Sequence, residues 1–141
     1  MGGETWTQTG PYPDPAAAFR QAQETSLAAL DPRFGFADRP LEDLWRDPAW
    51  HEFIFTGGTA TVLDFPHTID ATDHDDGPYM RPLTEAETRA WSPTGRPTEQ
   101  DWEAALDSGR LNHPARAQGN CVTLYYNGHP TKTAYWGTTA D

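Results

Sequence analysis

Residues 121–137, CVTLYYNGHPTKTAYWG, decide the fold. Two stretches of β-branched and aromatic residues flank Asn127-Gly128, a dipeptide that tolerates the positive φ angles of a tight type I′ turn. The spacing predicts a C-terminal β-hairpin. Pro130 donates nothing to a strand ladder and can force a longer loop over residues 127–130. With either loop the side chains sort the same way. Val122, Leu124 and Tyr126 are expected to share one face with Thr131, Thr133 and Tyr135. Cys121, Thr123 and Tyr125 then share the other with Lys132, Ala134 and Trp136.

Helical signals dominate upstream. Asp14-Pro15 is an N-cap and first-turn pair. Phe19, Ala22, Ser26, Leu27 and Leu30 follow at helical spacing, and Asp31-Pro32 closes a helix expected over 15–30. Pro40 to Trp45 suggests a short second helix, stopped by Asp47-Pro48. Thr84 and Glu87 form a capping box, and Thr98 with Asp101 a weaker one. Trp102, Ala105 and Leu106 give that last helix an apolar face, and Gly109 ends it.

Between these helices, EFIFT (52–56) and TATVLDF (59–65) are rich in β-formers around Gly57-Gly58. They predict either a hairpin or one strand with a glycine bulge. Residues 1–13 are expected to be irregular, and 66–82 to be an acidic loop. The order helices, strands, helices, strands reads as α+β. The expected architecture is a small, mainly antiparallel sheet ending in the C-terminal hairpin. An N-terminal helix and two short middle helices pack on one face, in a single domain over 1–141. The pairing of GGTATVLD (57–64) with TLYYNGHPTKTAYWG (123–137) resembles small, largely uncharacterised bacterial proteins of about this length. That resemblance implies a shared α+β fold and no activity or site.

The charge restricts the partners. Twenty-one acids oppose ten bases, for a net charge of −11. Such a surface repels phosphate backbones and anionic membranes and attracts basic proteins and cations. Cys121 is the only cysteine, which excludes an internal disulfide and a multi-cysteine zinc site. The opening MGGETWTQTG has neither a basic nor an apolar region of a signal peptide, and no apolar run reaches transmembrane length. A cytoplasmic protein is expected.

Residues 64–79, DFPHTIDATDHDDGPY, hold five acids and two histidines. A calcium loop with Gly77 at its sixth position would place Leu83 where Glu is required, so that motif fails. His51-Glu52 does not continue as HExxH. Asp64, His67, Asp70, Asp73 and His74 could still converge on zinc, nickel or manganese if the loop folds back. The same residue types also compose any exposed loop, and the solvated reading is preferred. No cofactor is expected, since neither GxxxxGK[ST] nor GxGxxG occurs. Cys121 reads as a small buried hydrophobe.

Three functions fit. The favoured one is an acidic inhibitor or immunity-type protein that neutralises a basic protein partner. It is motivated by residues 64–107, where eleven acids face three arginines. Asp70, Asp73, Asp75, Asp76, Glu85 and Glu87 are its candidate contacts. The alternative is a small-molecule enzyme, of the kind found in bacterial biosynthetic pathways, with Asp64, His67 and His74 as catalytic candidates. An acidic mimic of nucleic acid ranks third.

Overall fold

The computed structural model describes residues 3–12, 14–73 and 78–140. Four strands form one sheet: β1 (Thr5–Gly10), β2 (Tyr79–Pro82), β3 (Gln118–Tyr126) and β4 (His129–Thr138). Their order is β1-β4-β3-β2, antiparallel except for the β2–β3 pair. The helices are α1 (Pro15–Ala28), α2 (Leu41–Leu44), α3 (Pro48–Thr56), α4 (Glu85–Arg89) and α5 (Glu99–Asp107). Short 3-10 turns occupy Pro32–Phe34 and Val62–Asp64. The α+β class, the mostly antiparallel sheet and the C-terminal strand pair are those the sequence predicts. Among the described residues no helix is long and apolar enough to cross a membrane.

Asn127 and Gly128, at φ +51° and +77°, make a two-residue turn with Tyr126 opposite His129. The register then slips between Leu124 and Tyr125: Tyr125 faces Pro130, Leu124 faces Lys132, and Thr131 is the extra residue of a bulge. One inserted residue exchanges the faces of everything beyond it. Val122 and Leu124 therefore lie with Lys132, Ala134 and Trp136, while Cys121 and Thr123 lie with Thr133 and Tyr135. This corrects the face assignment expected from the sequence.

Each face has its own core. Phe19 and Ala22 of α1, with Val62 and Phe65, pack on Trp6, Met80, Cys121 and Tyr135. Trp91, with Trp102 and Ala105 of α5, covers Leu124, Ala134 and Trp136 on the opposite face. The helices thus divide between two faces instead of sharing one. Adjacent strand residues point opposite ways, and Tyr135 and Trp136 are only 1% and 0% exposed, so both sides need a cover. A third cluster of Leu27, Leu44, Trp50, Ile54 and Leu63 joins α1, α2 and α3. Gly119 and Gly137, paired across β3 and β4, make room for the first core. A Cβ at Gly119 would stand 2.7 Å from Met80 and 2.9 Å from Phe65, and one at Gly137 would stand 2.7 Å from Trp6.

Four expectations about local structure are overturned or narrowed. EFIFT belongs to α3, and Val62–Asp64 is a 3-10 turn, so residues 52–65 contain neither hairpin nor bulged strand. Asp47 accepts the Ala49 N–H at 2.9 Å and Pro48 takes the first turn, so the pair starts a helix where a stop was expected. Residues 1–13 are not wholly irregular, because β1 pairs along its length with β4 and buries Trp6. Residues 66–82 also include β2, beside which Thr68 forms an isolated parallel bridge to Met80.

Candidate functional site

Asp64 ends its 3-10 turn 4% exposed. Its Oδ1 accepts the Thr59 N–H at 2.7 Å and the Thr59 hydroxyl at 2.6 Å, and its Oδ2 accepts the Ala60 N–H at 3.2 Å. The carboxylate thereby closes residues 58–60, where Gly58 and Ala60 hold φ of +76° and +56°. A buried carboxylate needs such donors, and here its own loop supplies them. Asp64 is not at a strand end.

The other loop candidates lie apart from it. His67 is exposed, and its carbonyl accepts the Met80 N–H at 3.2 Å, which places its backbone at the sheet edge. Asp70 and Asp73 are exposed. His74, Asp75 and Asp76 lie outside the described residues. Among the described residues no three of His, Cys, Asp or Glu stand close enough to hold a metal ion.

Glu85 and Glu87 are engaged within the molecule. Glu85 pairs with Arg89, one turn away on α4, at 3.0 Å. Glu87 receives both Nη groups of Arg81, at 2.8 and 2.9 Å, and completes the capping box with Thr84. The Arg81 guanidinium, helped by the Thr84 N–H, holds the Glu87 carboxyl down at about 2. Arg81 also donates to the Ala71 carbonyl at 2.7 Å, tying the acidic loop to β2.

A more accessible set of groups lies where α5 meets the hairpin. Thr98 and Asp101 cap α5 reciprocally, and Trp102 lies 6.0 Å from Trp136, ring centre to ring centre. That packing turns Glu103 and Asp107 outward; α5 carries four acids and no base. The Tyr125 N–H donates to the Pro97 carbonyl at 2.8 Å and holds the hairpin against the segment that enters α5. Beside the turn, Tyr126 is 69% exposed, the largest exposure among the bulky apolar side chains described. Glu99, Glu103, Tyr125, Tyr126, Thr131 and Lys132 border an open groove of about 610 Å³, with Lys132 held by Glu99 at 2.5 Å.

The groove offers aromatic area and carboxylates, which is the chemistry of recognition. Sequence reasoning did not single out Glu99 or Glu103, and it placed Tyr126 on a sheet face among the hairpin aromatics, for which core packing is the default and a partner-facing role the alternative. The available signal was the last residue before a tight turn, together with acids four apart on a helix whose opposite side carries Trp102. No family model, curated protein or solved structure matches this chain.

Proposed function

We propose that the chain is an acidic partner-binding protein of inhibitor or immunity type, which neutralises a basic protein through the groove between α5 and the hairpin. The observation that carries this reading is Tyr126, 69% exposed beside a helix of four acids and no base. A tyrosine supplies large contact area with little rotamer entropy to lose, and interfaces are enriched in it. Of the α5 carboxylates, Glu103 and Asp107 pair with no cation among the described residues, and their charge steers a cationic partner and rejects anionic ones. The net charge of −11 acts in the same direction at long range.

The contact set moves accordingly. Glu99, Glu103, Tyr125 and Tyr126 form its centre, with Asp70 and Asp73 as outlying charges. Glu87 serves the fold. The enzyme alternative at Asp64, His67 and His74 has less to draw on, because Asp64 spends its lone pairs on Thr59 and Ala60. A reducing cytoplasm suits Cys121, a buried free thiol.

The test is affinity capture from extracts of the source cells with the wild type and a Tyr126→Ala, Glu103→Lys double variant, followed by binding measurements on purified candidates. The expected result is one basic protein whose affinity for the variant falls roughly 100-fold, as befits a hot spot and a reversed charge. Its association rate with the wild type should fall about tenfold or more as salt rises. Equal capture by both forms, or capture of acidic proteins alone, refutes the reading.

A further inference from the structure

A second cavity opens on the face of the sheet that carries Cys121, Thr133 and Tyr135. It is a cleft of about 420 Å³, open on one side, within the size range of small-molecule sites. Its walls come from Pro15 at the start of α1, from Pro82 and Leu83 after β2, from Tyr12 and Tyr125, and from the segment between α4 and α5. It meets the α5 groove only at Tyr125.

Two groups in this cleft keep unused capacity, a hydrogen-bond donor in one case and a positive charge in the other. Tyr135 lines it while only 1% exposed, and its hydroxyl has no hydrogen bond with proper geometry in the described structure. Burial raises the Tyr135 pKa; the Thr133 side chain, close by, eases the ionised form slightly. A phenol that stays protonated and buried, with its donor unused, costs free energy unless something else accepts from it. The second group is Arg96 at the mouth. Arg20, Arg33, Arg39, Arg46, Arg81 and Arg89 each pair with a carboxylate, whereas the Arg96 guanidinium pairs with none among the described residues. Arg110 also lacks a carboxylate among the described residues and donates to the Ser108 hydroxyl, but it lines no part of this cleft; Arg96 is distinguished by standing unpaired beside a cavity in a chain with twice as many acids as bases.

The segment that presents Arg96 is held in place. Arg89 donates to Glu85 and to the Pro93 carbonyl at 3.2 Å, and its guanidinium lies over Gly95, where a Cβ would come within 3.3 Å of it. Gly95 adopts φ +72°, and the Arg96 N–H donates to the Thr94 hydroxyl at 3.1 Å. The charge count then selects the ligand. Glu85 neutralises Arg89, and Asp14 already caps the N-terminus of α1 beside Pro15. One positive charge remains, which suits a monoanion and disfavours a phosphate dianion.

We propose that this cleft binds a small organic carboxylate with an apolar or aromatic body, its carboxylate on Arg96 and a hydrogen-bonding head group on the Tyr135 hydroxyl. The body lies between Tyr125 and the Pro82-Leu83 wall. This site is independent of the α5 groove, and a failure of either proposal leaves the other standing.

The probe is 4-hydroxybenzoate, compared with its uncharged methyl ester and with inorganic phosphate. Binding to the full chain is followed by amide shifts of Cys121, Thr123 and Tyr135 in two-dimensional NMR. The acid should bind with Kd of about 1 mM or tighter, the ester roughly tenfold more weakly, and phosphate more weakly still. Arg96→Gln should bring the acid down to the level of the ester and leave the ester unchanged. Tyr135→Phe, which keeps the packing, should weaken acid and ester alike. The proposal is overturned if the acid moves none of these amides, if acid and ester bind equally, if phosphate binds as tightly as the acid, or if Arg96→Gln changes nothing.

Discussion

Replacing Glu87 by Gln tests whether a carboxylate from the acidic middle of the chain serves the fold. Arg81, whose side chain is 15% exposed, grips Glu87 through two contacts and links β2, α4 and the Ala71 carbonyl. This pair, more than the Thr84 cap, takes the Glu87 carboxyl from 4.5 to about 2. At about 1.4 kcal/mol per tenfold change in proton affinity, the full difference is about 3 kcal/mol. Glu87 is 42% exposed, and solvent screening reduces the figure to about 1–2 kcal/mol. The direction follows from linkage. A carboxyl depressed in the folded state stabilises fully above its unfolded value, loses that contribution as pH falls below about 4.5, and retains almost none below about 2. Glu87→Gln keeps an oxygen for the Thr84 N–H, now 2.9 Å from Oε1, so the cap is largely spared. Urea unfolding followed by tryptophan fluorescence should give a loss of about 1–2 kcal/mol at pH 7, shrinking to roughly two-fifths of that by pH 3. An equal loss at both pH values, or a Glu87 carboxyl that titrates near 4.5 by NMR, refutes the reasoning.

Two further outcomes follow from buried groups. Asp64→Ala strands the Thr59 and Ala60 N–H groups and should cost about 3–5 kcal/mol in denaturant unfolding; a loss below about 1 kcal/mol would show that the loop does not depend on the carboxylate. The Cys121 thiol, pushed up to about 12 by burial, should resist iodoacetamide at pH 8 in the folded chain and react only as the chain unfolds. Prompt labelling of the native protein would contradict that burial.

The hairpin and the two capping boxes were legible because their signals are local. Asn127-Gly128 fixes two positive φ values, and Thr84 and Thr98 each reach a partner three residues ahead. The same kind of signal stands at Asp-Pro, where it reads correctly as a start at Asp14-Pro15 and wrongly as a stop at Asp31-Pro32 and Asp47-Pro48. Asp14, Asp31 and Asp47 each cap the helical turn begun by the following proline, so all three pairs mark starts. At Asp47 the β propensity of EFIFT prevailed in the reading, although Trp50 and Ile54, four apart and almost fully buried, follow the helical period. The bulge at Thr131 had no local signature. It is fixed by which neighbours Tyr135 and Trp136 must reach on opposite faces. β1 was illegible for a related reason, since TWTQTG gains its strand character from β4, at the other end of the chain.

The candidate groove escaped the sequence because charge was counted along the chain, while recognition depends on charge left uncompensated in space. Residues 64–107 concentrate the acids, yet Glu85 and Glu87 within that run belong to arginines, and Glu99 belongs to Lys132. Asp101 is bound into the cap of α5, and Asp64 into its own loop. What remains on α5 is Glu103 and Asp107, neither paired with a cation among the described residues, on a helix whose other side is fixed by Trp102. An unpaired carboxylate on a packed helix keeps its field for an incoming partner, whereas a paired one has spent most of it on its neighbour. Salt dependence of association should therefore respond to neutralising Glu103 and Asp107 and hardly at all to neutralising Glu85 with Arg89. That contrast separates a localised recognition surface from a general effect of net charge.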